Sequence, residues 1–186
     1  GICDTDTVVA YDDAGGAMAG RLVWLLRILG RDAALLDGGL QAWDGELTTE
    51  VPRRPRAEFT PRSWPDEALA DIEDAATGEL VIDARGTERF RGESEPIDPK
   101  AGHIPGARSY PMAGNLAEDC RFKTPEELRE RFAAVDDAAQ VISYCGSGIT
   151  ACHNLIALEY AGLGRGRLYS GSWSQYAHTS RPVATG

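Results

Sequence analysis

A cysteine lies where a buried strand gives way to a helix. Residues 141–144 (Val-Ile-Ser-Tyr) have the character of a buried strand, and apolar side chains recur with helical spacing after residue 150. The loop between them consists of Cys145, Gly146, Ser147, Gly148, Ile149 and Thr150. Its two glycines permit backbone conformations that would turn N–H groups toward the sulfur, and the helix start adds partial positive charge. Both effects favour a thiolate, so Cys145 is predicted to be a nucleophile rather than an inert buried thiol.

Four further segments carry short motifs in a fixed order. They are residues 81–85 (Val-Ile-Asp-Ala-Arg), 89–90 (Arg-Phe), 102–107 (Gly-His-Ile-Pro-Gly-Ala) and 168–173 (Leu-Tyr-Ser-Gly-Ser-Trp). With the cysteine loop, they resemble the rhodanese superfamily of sulfurtransferases, in its 3-mercaptopyruvate form. The thiosulfate-specific form usually has basic residues after the cysteine. Two positions depart from the family pattern, because Ser170 and Gln175 replace acidic residues around Gly-Ser-Trp, which weakens the expected support behind the loop.

The resemblance implies an α/β rhodanese fold, a parallel sheet flanked by helices, and a substrate-binding role for residues around the thiol. Arg89 follows the strand that ends at Asp83 and corresponds to the arginine that holds the donor's anionic group; the alternative is a solvent-facing helical arginine. Arg85 is expected to pair with Asp83 instead. Ser147 could hydrogen-bond a donor carboxylate, or be a turn serine without a ligand. Gly146, Gly148, Ile149 and Thr150 complete the predicted binding loop, and Thr150 is expected to cap the helix.

Other reactive side chains are predicted to be structural. Cys120 and Cys152 are interpreted as packed thiols, with oxidation against Cys145 as the lesser alternative. His103 lies in a Gly-His-Ile-Pro-Gly turn that is structural in the family. Four cysteines and three histidines without paired Cys-x-x-Cys spacing predict no metal site, and the resemblance implies no cofactor.

The first part of the chain echoes the segment around the cysteine. At a constant offset, Tyr11 corresponds to Tyr144, Leu22 to Leu155 and Gly38 to Gly171, which suggests a duplicated strand, loop, helix and strand. Asp12 then occupies the position of Cys145, so the first copy is expected to be inactive, with Asp12 ending a strand and supporting a helix start.

The echo divides the chain into three parts. We predict that residues 1–48 are the C-terminal part of an inactive first rhodanese domain, residues 49–63 a proline- and arginine-rich linker, and residues 64–186 the catalytic domain. A missing N-terminal segment of the same protein is expected to complete the first domain.

The sequence pattern in the rest of the chain predicts alternating helices and strands, and therefore a parallel sheet. A helical stretch is expected over residues 65–73 and a short helix over residues 85–92. Thr124 and Pro125, followed by two acids, are a strong helix start.

Composition limits the partners. The net charge of −10 over 186 residues argues against a nucleic-acid partner, and for an anionic donor the positive charge must be local to a cleft. No apolar run is long enough to span a membrane and no signal peptide is visible, so the expected location is cytoplasmic.

The resemblance implies double displacement through a Cys145 persulfide. A small anionic donor, 3-mercaptopyruvate or thiosulfate, would load sulfur that a thiol, a thioredoxin-like protein or cyanide then removes. Two alternatives remain: a rhodanese module that binds persulfide or a partner without turnover, and, less favoured, a phosphatase of the same fold. The phosphatase alternative requires a longer loop that ends in an arginine, which is absent after Cys145.

Overall fold

The computed structural model describes residues 1–135 and 137–186. The strands in the described chain are β1 (Val8–Ala10), β2 (Ala33–Leu35), β3 (Leu69–Ala70), β4 (Val81–Asp83), β5 (Arg108–Ser109), β6 (Ile142–Tyr144) and β7 (Arg167–Tyr169). The α-helices are α1 (Ala19–Ile28), α2 (Ile72–Thr77), α3 (Thr87–Arg91), α4 (Pro125–Arg131), α5 (Ala151–Tyr160) and α6 (Ser172–Tyr176). In these ranges no helix combines the length and apolar character that a bilayer crossing requires.

A parallel sheet of five strands forms the larger unit, in the order β3-β7-β6-β4-β5. Successive side chains of β4 alternate between two cores: Ile82 packs with the side chains around α5, and Val81 packs with those around Trp173. Apolar clusters therefore cover both faces of the sheet, which confirms the prediction of a buried parallel sheet. The central strand β6 leads directly into Cys145, so the cysteine lies at the carboxyl edge, where α/β sheets bind ligands.

The first 48 residues form a smaller unit against the same core. Strands β1 and β2 pair in parallel, and helix α1 buries Val23 and Trp24 in the core shared with α5. The sequence of a three-residue strand, a ten-residue helix and a three-residue strand recurs as β6, α5 and β7. Both segments therefore contain a strand, a helix and a strand in the same order; that they are copies of one domain stays a prediction.

Local signals predicted some helix boundaries well and others badly. Helix α4 begins as expected, with a capping box in which Thr124 accepts the N–H of Glu127. The prediction of a helical stretch over residues 65–73 was wrong. A 3-10 turn, strand β3 and then α2 occupy this region, because Leu69 and Ala70 pair with β7 and Asp71 caps a separate helix. The short helix expected over residues 85–92 is present as α3 but spans only Thr87–Arg91.

A buried histidine of α5 joins the two units. His153 is completely buried, its ring stacks on Phe122 at 4.4 Å, and its Nε2 lies 3.0 Å from the carbonyl oxygen of Gly15. The Nδ2 amide group of Asn115 donates to His153 Nδ1 at 3.1 Å, so Nε2 carries the proton that is donated to Gly15. Burial lowers the pKa of His153 to about 4.

This histidine predicts a loss of stability in mild acid. Its folded pKa of about 4 lies below the ordinary 6.5. Between these pH values His153 is therefore protonated in the unfolded chain but neutral in the folded chain. Stability from this group is complete above pH 6.5 and is lost as pH falls toward 4, by about 2 kcal/mol between pH 7 and 5. In urea unfolding at both pH values, His153→Gln should show a smaller pH effect than the unmodified protein. The exposed-histidine control His178→Gln should retain the full effect, and equal pH effects in all three proteins would contradict the assignment.

Candidate active site

One cleft of about 470 Å³ gathers most of the predicted site residues. It lies at the carboxyl ends of β4 and β6 and is lined by Arg89, Cys145, Gly146, Ser147, Ile149 and Thr150 among others. Gly148 is not part of the lining. The remaining wall is largely apolar and includes Met18, Ile97, Pro111, Met112 and Ala113. The cleft therefore brings together a cysteine, two arginines and three hydroxyl groups, because Arg85 and Ser174 line it as well.

The thiol-bearing residue is held by its backbone. The N–H group of Cys145 donates to Ser172 Oγ at 3.1 Å, and its carbonyl accepts the N–H group of Trp173 at 2.9 Å. Ser172 in turn donates its hydroxyl to the carbonyl of Tyr169 at 2.8 Å and has a left-handed backbone with φ 52°. Cys145 is only 2% exposed but lines the cleft, so a substrate can reach it only from the cleft. The supporting role of Ser172 was missed, because the motif gave no indication of where its hydroxyl points.

The loop after the cysteine presents uncommitted backbone donors. Within the described chain, none of the N–H groups of residues 146–150 donates a hydrogen bond to a protein acceptor. Backbone donors that are shielded from solvent are normally satisfied by a partner. The loop is therefore suited to receive hydrogen-bond acceptors on an anion or on a negatively charged sulfur.

The corresponding loop of the first unit already holds an anion. The carboxylate of Asp12 accepts four backbone N–H groups at 2.8–2.9 Å, from Ala14, Gly16, Met18 and Ala19. Burial alone would raise the pKa of Asp12, but these four hydrogen bonds outweigh it and hold the pKa below its ordinary value. This loop form can therefore stabilise a negative charge at the position that corresponds to Cys145. The bonds to Met18 and Ala19 also support the start of α1, as expected for Asp12.

The two loop glycines have different roles. Gly148 has φ +73°, and a Cβ there would lie 2.7 Å from the carbonyl oxygen of Ser170, so both conformation and space require glycine. Gly146 does not have a positive φ, so the expectation that it needs a glycine-only conformation was wrong. A Cβ at Gly146 would instead lie 3.5 Å from Arg89 Nη1. That is an ordinary van der Waals distance, so the space at Gly146 would accept a Cβ, and the contact shows only that Arg89 lies close to the loop.

The hydroxyl groups of the loop are uncommitted in the described chain. Thr150 was expected to cap α5 but makes no side-chain cap, because its helical backbone (φ −70°, ψ −15°) differs from the extended form usual at an N-cap. Ser147 is exposed, and its carbonyl, not its hydroxyl, accepts a bond from Arg21 Nη1 at 3.0 Å. Both hydroxyls can therefore bind a ligand in the cleft.

Arg89 lies in the cleft wall and is partly committed to carboxylates. Its Nη2 and Nε donate to Glu95 at 2.6 and 3.3 Å, and Nη2 also lies 3.4 Å from Asp98 Oδ2. Burial would raise the pKa of Glu95, but Arg89 and the backbone N–H groups of Asp98 and Ile97 hold it below its ordinary value. Arg89 Nη1 has no hydrogen-bond partner in the described chain and faces the loop near Gly146. One guanidinium nitrogen is thus available beside the loop that follows the thiol.

Arg85 forms the buried support behind Arg89. It bonds both oxygens of Asp83, at 2.7 to 3.1 Å, and donates to Glu95 and to the carbonyl of Gly102. Its guanidinium also lies 4.6 Å from the ring centroid of Trp173. Burial would lower the pKa of Arg85, but Asp83 and the other neighbours hold it above the ordinary value. The predicted pairing with Asp83 is confirmed, and Arg85 has a supporting position.

The other reactive side chains occupy structural positions. His103 Nδ1 lies 2.8 Å from the carbonyl of Phe90, and the two rings stack at 3.7 Å, as the interpretation of a structural turn requires. Cys152 is buried, its thiol donates to the carbonyl of Gly148, and burial raises its pKa to about 12. Cys120 does not line the cleft. Over the described ranges, no cluster of three or more His, Cys, Asp or Glu side chains could hold a metal ion.

Sequence reasoning missed the apolar wall of the cleft and also three residues whose positions matter for its chemistry. Asp98 lines the cleft from the proline-rich loop, Met18 lines it from the first unit, and Arg21 holds the loop carbonyl. No spacing signal links Asp98 to the cysteine. For Met18 and Arg21 the internal echo indicated only a related helix, not that its side chains would reach the second loop.

Comparison with known proteins places this geometry in a family. A family model described as a Rhodanese-like domain matches residues 65–179. A probable 3-mercaptopyruvate sulfurtransferase of Pseudomonas aeruginosa is 48% identical over all of this chain and 70% of its own length. The human 3-mercaptopyruvate sulfurtransferase is 36% identical, over 94% of this chain and 64% of its own. A solved structure of 3-mercaptopyruvate sulfurtransferase from Leishmania major superposes with a TM-score of 0.78 at 33% identity, over 95% of this chain and 52% of that one.

Proposed function

Because the chain belongs to the rhodanese family, we propose that it is a sulfurtransferase in which Cys145 carries the transferred sulfur as a persulfide. The donor is a small anion, 3-mercaptopyruvate or thiosulfate. The observation that carries this proposal is the set of uncommitted N–H groups at residues 146–150 beside a thiol in an open cleft. The occupied loop around Asp12 supports it, because there the same type of loop binds a negative charge.

The reaction consists of two displacements at sulfur. The Cys145 thiolate attacks the donor's transferable sulfur and forms an S–S bond, while the bond from that sulfur to the rest of the donor breaks. The electron pair leaves with pyruvate, as an enolate that takes up a proton, or with sulfite. An acceptor thiolate or cyanide then attacks the outer sulfur, which breaks the S–S bond and returns Cys145 as a thiolate. No oxidant or cofactor enters this balance.

Each cleft residue has a proposed part in these steps. Arg89 Nη1 and the Ser147 hydroxyl orient the donor's anionic group, and the Thr150 hydroxyl turns toward the sulfur when the persulfide forms. The N–H groups of residues 146–150 stabilise the negative sulfur before and after transfer. Gly148 keeps the loop backbone in the required form, and Ile149 contributes apolar wall.

The acceptor is proposed from chemistry rather than from a specific contact. A thiol, a thioredoxin-like protein or cyanide could each remove the outer sulfur, since the cleft is open to solvent. All four cysteines are free, which fits the reducing cytoplasm that we propose as the location. Cell fractionation measures that location directly, and recovery in an oxidising compartment would contradict it.

We also propose a tandem organisation, in which residues 1–48 belong to an inactive first domain, residues 49–63 link the domains, and residues 64–186 are catalytic. Residues 49–63 have no helix or strand and are exposed. Val9 of strand β1 and Tyr11, just after the strand, are exposed, as they would be in a partly covered sheet. A further N-terminal segment of the same protein would cover this face. Peptide mapping after sulfur loading should then find Cys3, in the first unit, unmodified.

Two alternatives differ from this proposal: the structure bears on the first, and an assay tests the second. A phosphatase of this fold needs an arginine at the end of a longer loop, and here the helix begins directly after Thr150 with Ala151. A module that only binds persulfide would accept one sulfur per molecule without turnover. Steady-state assays with each donor, and with cyanide or a thiol as acceptor, test the proposal. Many turnovers per molecule support it, and a single turnover or release of phosphate from an ester would overturn it.

A further inference from the structure

The charged groups of the cleft form one connected, partly buried ladder. Asp83 bonds Arg85, Arg85 bonds Glu95, Glu95 bonds Arg89, and Arg89 approaches Asp98. The side chains of Glu95 and Asp98 are each only 3% exposed. Three carboxylates thus face two guanidinium groups, so the ladder carries a net negative charge although the substrate proposed above is an anion.

Asp98 is the ladder's outermost acid and lines the cleft itself, whereas Glu95 does not. Its own bonds are long, 3.4 Å to Arg89 Nη2 and 3.3 Å from the Ser174 hydroxyl, so its negative charge is poorly compensated. Glu95 already occupies two nitrogens of Arg89, which leaves Nη1 as the uncommitted donor. A donor in the cleft therefore meets one available guanidinium nitrogen and one nearby carboxylate.

We propose that Asp98 is a specificity-determining residue that makes the cleft select monoanionic sulfur donors, such as an α-keto thiol carboxylate, over dianionic donors such as thiosulfate. The inference rests on the proposed sulfurtransferase function. Asp98 repels each negative charge on the donor, so a dianion is repelled about twice as strongly as a monoanion. The low exposure of the ladder keeps this repulsion from being fully screened by salt.

The test is the ratio of kcat/KM for 3-mercaptopyruvate to kcat/KM for thiosulfate. Asp98→Asn keeps the size of the side chain and its acceptor for Ser174 but removes the charge. We expect it to lower the ratio by about tenfold in favour of thiosulfate. The matched control is Glu93→Gln, which removes the same charge from an exposed side chain of the same loop outside the cleft, and it should leave the ratio unchanged. An unchanged ratio in Asp98→Asn would overturn the inference.

A measurement on the unmodified protein covers the case in which Asp98→Asn does not fold. Pyruvate, a monoanion, should inhibit 3-mercaptopyruvate turnover at concentrations about tenfold lower than sulfate, a dianion, at equal ionic strength. Equal or stronger inhibition by sulfate would overturn the inference. Failure of the proposed function has a different signature, because then neither donor would load sulfur on Cys145 and no ratio would exist.

Discussion

Cys145→Ser is expected to abolish sulfur transfer from every donor, with turnover falling by at least about 10³-fold. A hydroxyl at this position cannot form the persulfide on which both displacements depend. The fold should be retained, because the supporting bonds from Ser172 and Trp173 involve the backbone of residue 145 rather than its sulfur. Steady-state turnover, with circular dichroism to check folding, measures the effect.

Cys152→Ser is the matched control for that experiment. Cys152 lies in the first turn of α5, just beyond the loop that begins at Cys145, but its thiol is buried against the carbonyl of Gly148 and does not line the cleft. Turnover should be lost in Cys145→Ser and kept in Cys152→Ser. Full activity in Cys145→Ser would refute the assignment of Cys145 as the nucleophile. If both variants lost activity, their circular dichroism spectra would show whether unfolding is the cause.

Arg89→Lys should lower kcat/KM for both donors by about 10- to 100-fold, chiefly through KM. Lysine keeps the charge but loses the planar fork that bonds Glu95 while directing Nη1 toward the loop. A charge-assisted hydrogen bond contributes about 1.5–3 kcal/mol, which corresponds to this range. Donor titration of initial rates measures the split between KM and kcat.

The control for the arginine is Arg91→Lys, two residues further along the same helix. Arg91 is exposed and pairs only loosely with Glu93, at 3.9 Å, outside the cleft. It should behave as the unmodified protein does. If Arg89→Lys also retained its KM, the anionic group of the donor would have to be bound elsewhere, and the proposed role of Nη1 would be wrong.

The sequence allowed prediction of features that depend on local chemistry. A strand followed by Cys-Gly-Ser-Gly indicated the position of the cysteine loop at the end of β6, and Thr124 with Pro125 indicated the start of α4. Alternating strands and helices indicated the parallel sheet. The cysteine loop and the start of α4 depend on residues close together in the chain. The alternation of strands and helices is also a local pattern, although the strand pairs that it implies, such as Val81 with Ile142, join distant residues.

Features that depend on distant partners could not be predicted. Strand β3 exists because it pairs with β7, about a hundred residues later, and the sequence around Leu69 favoured a helix. Asp98 reaches Arg89 because a proline-rich loop folds back over α3, and Arg21 reaches Ser147 because α1 packs on α5. Such contacts follow from tertiary packing, for which one sequence contains no local signal.

The most direct test is mass spectrometry of the protein after brief treatment with a donor and removal of the excess. We predict the addition of one sulfur atom per chain, located by peptide mapping on Cys145, lost on adding cyanide and absent from Cys145→Ser. No added sulfur with any donor, or sulfur on Cys3, Cys120 or Cys152 with Cys145 unmodified, would contradict the central claim that Cys145 carries the transferred sulfur.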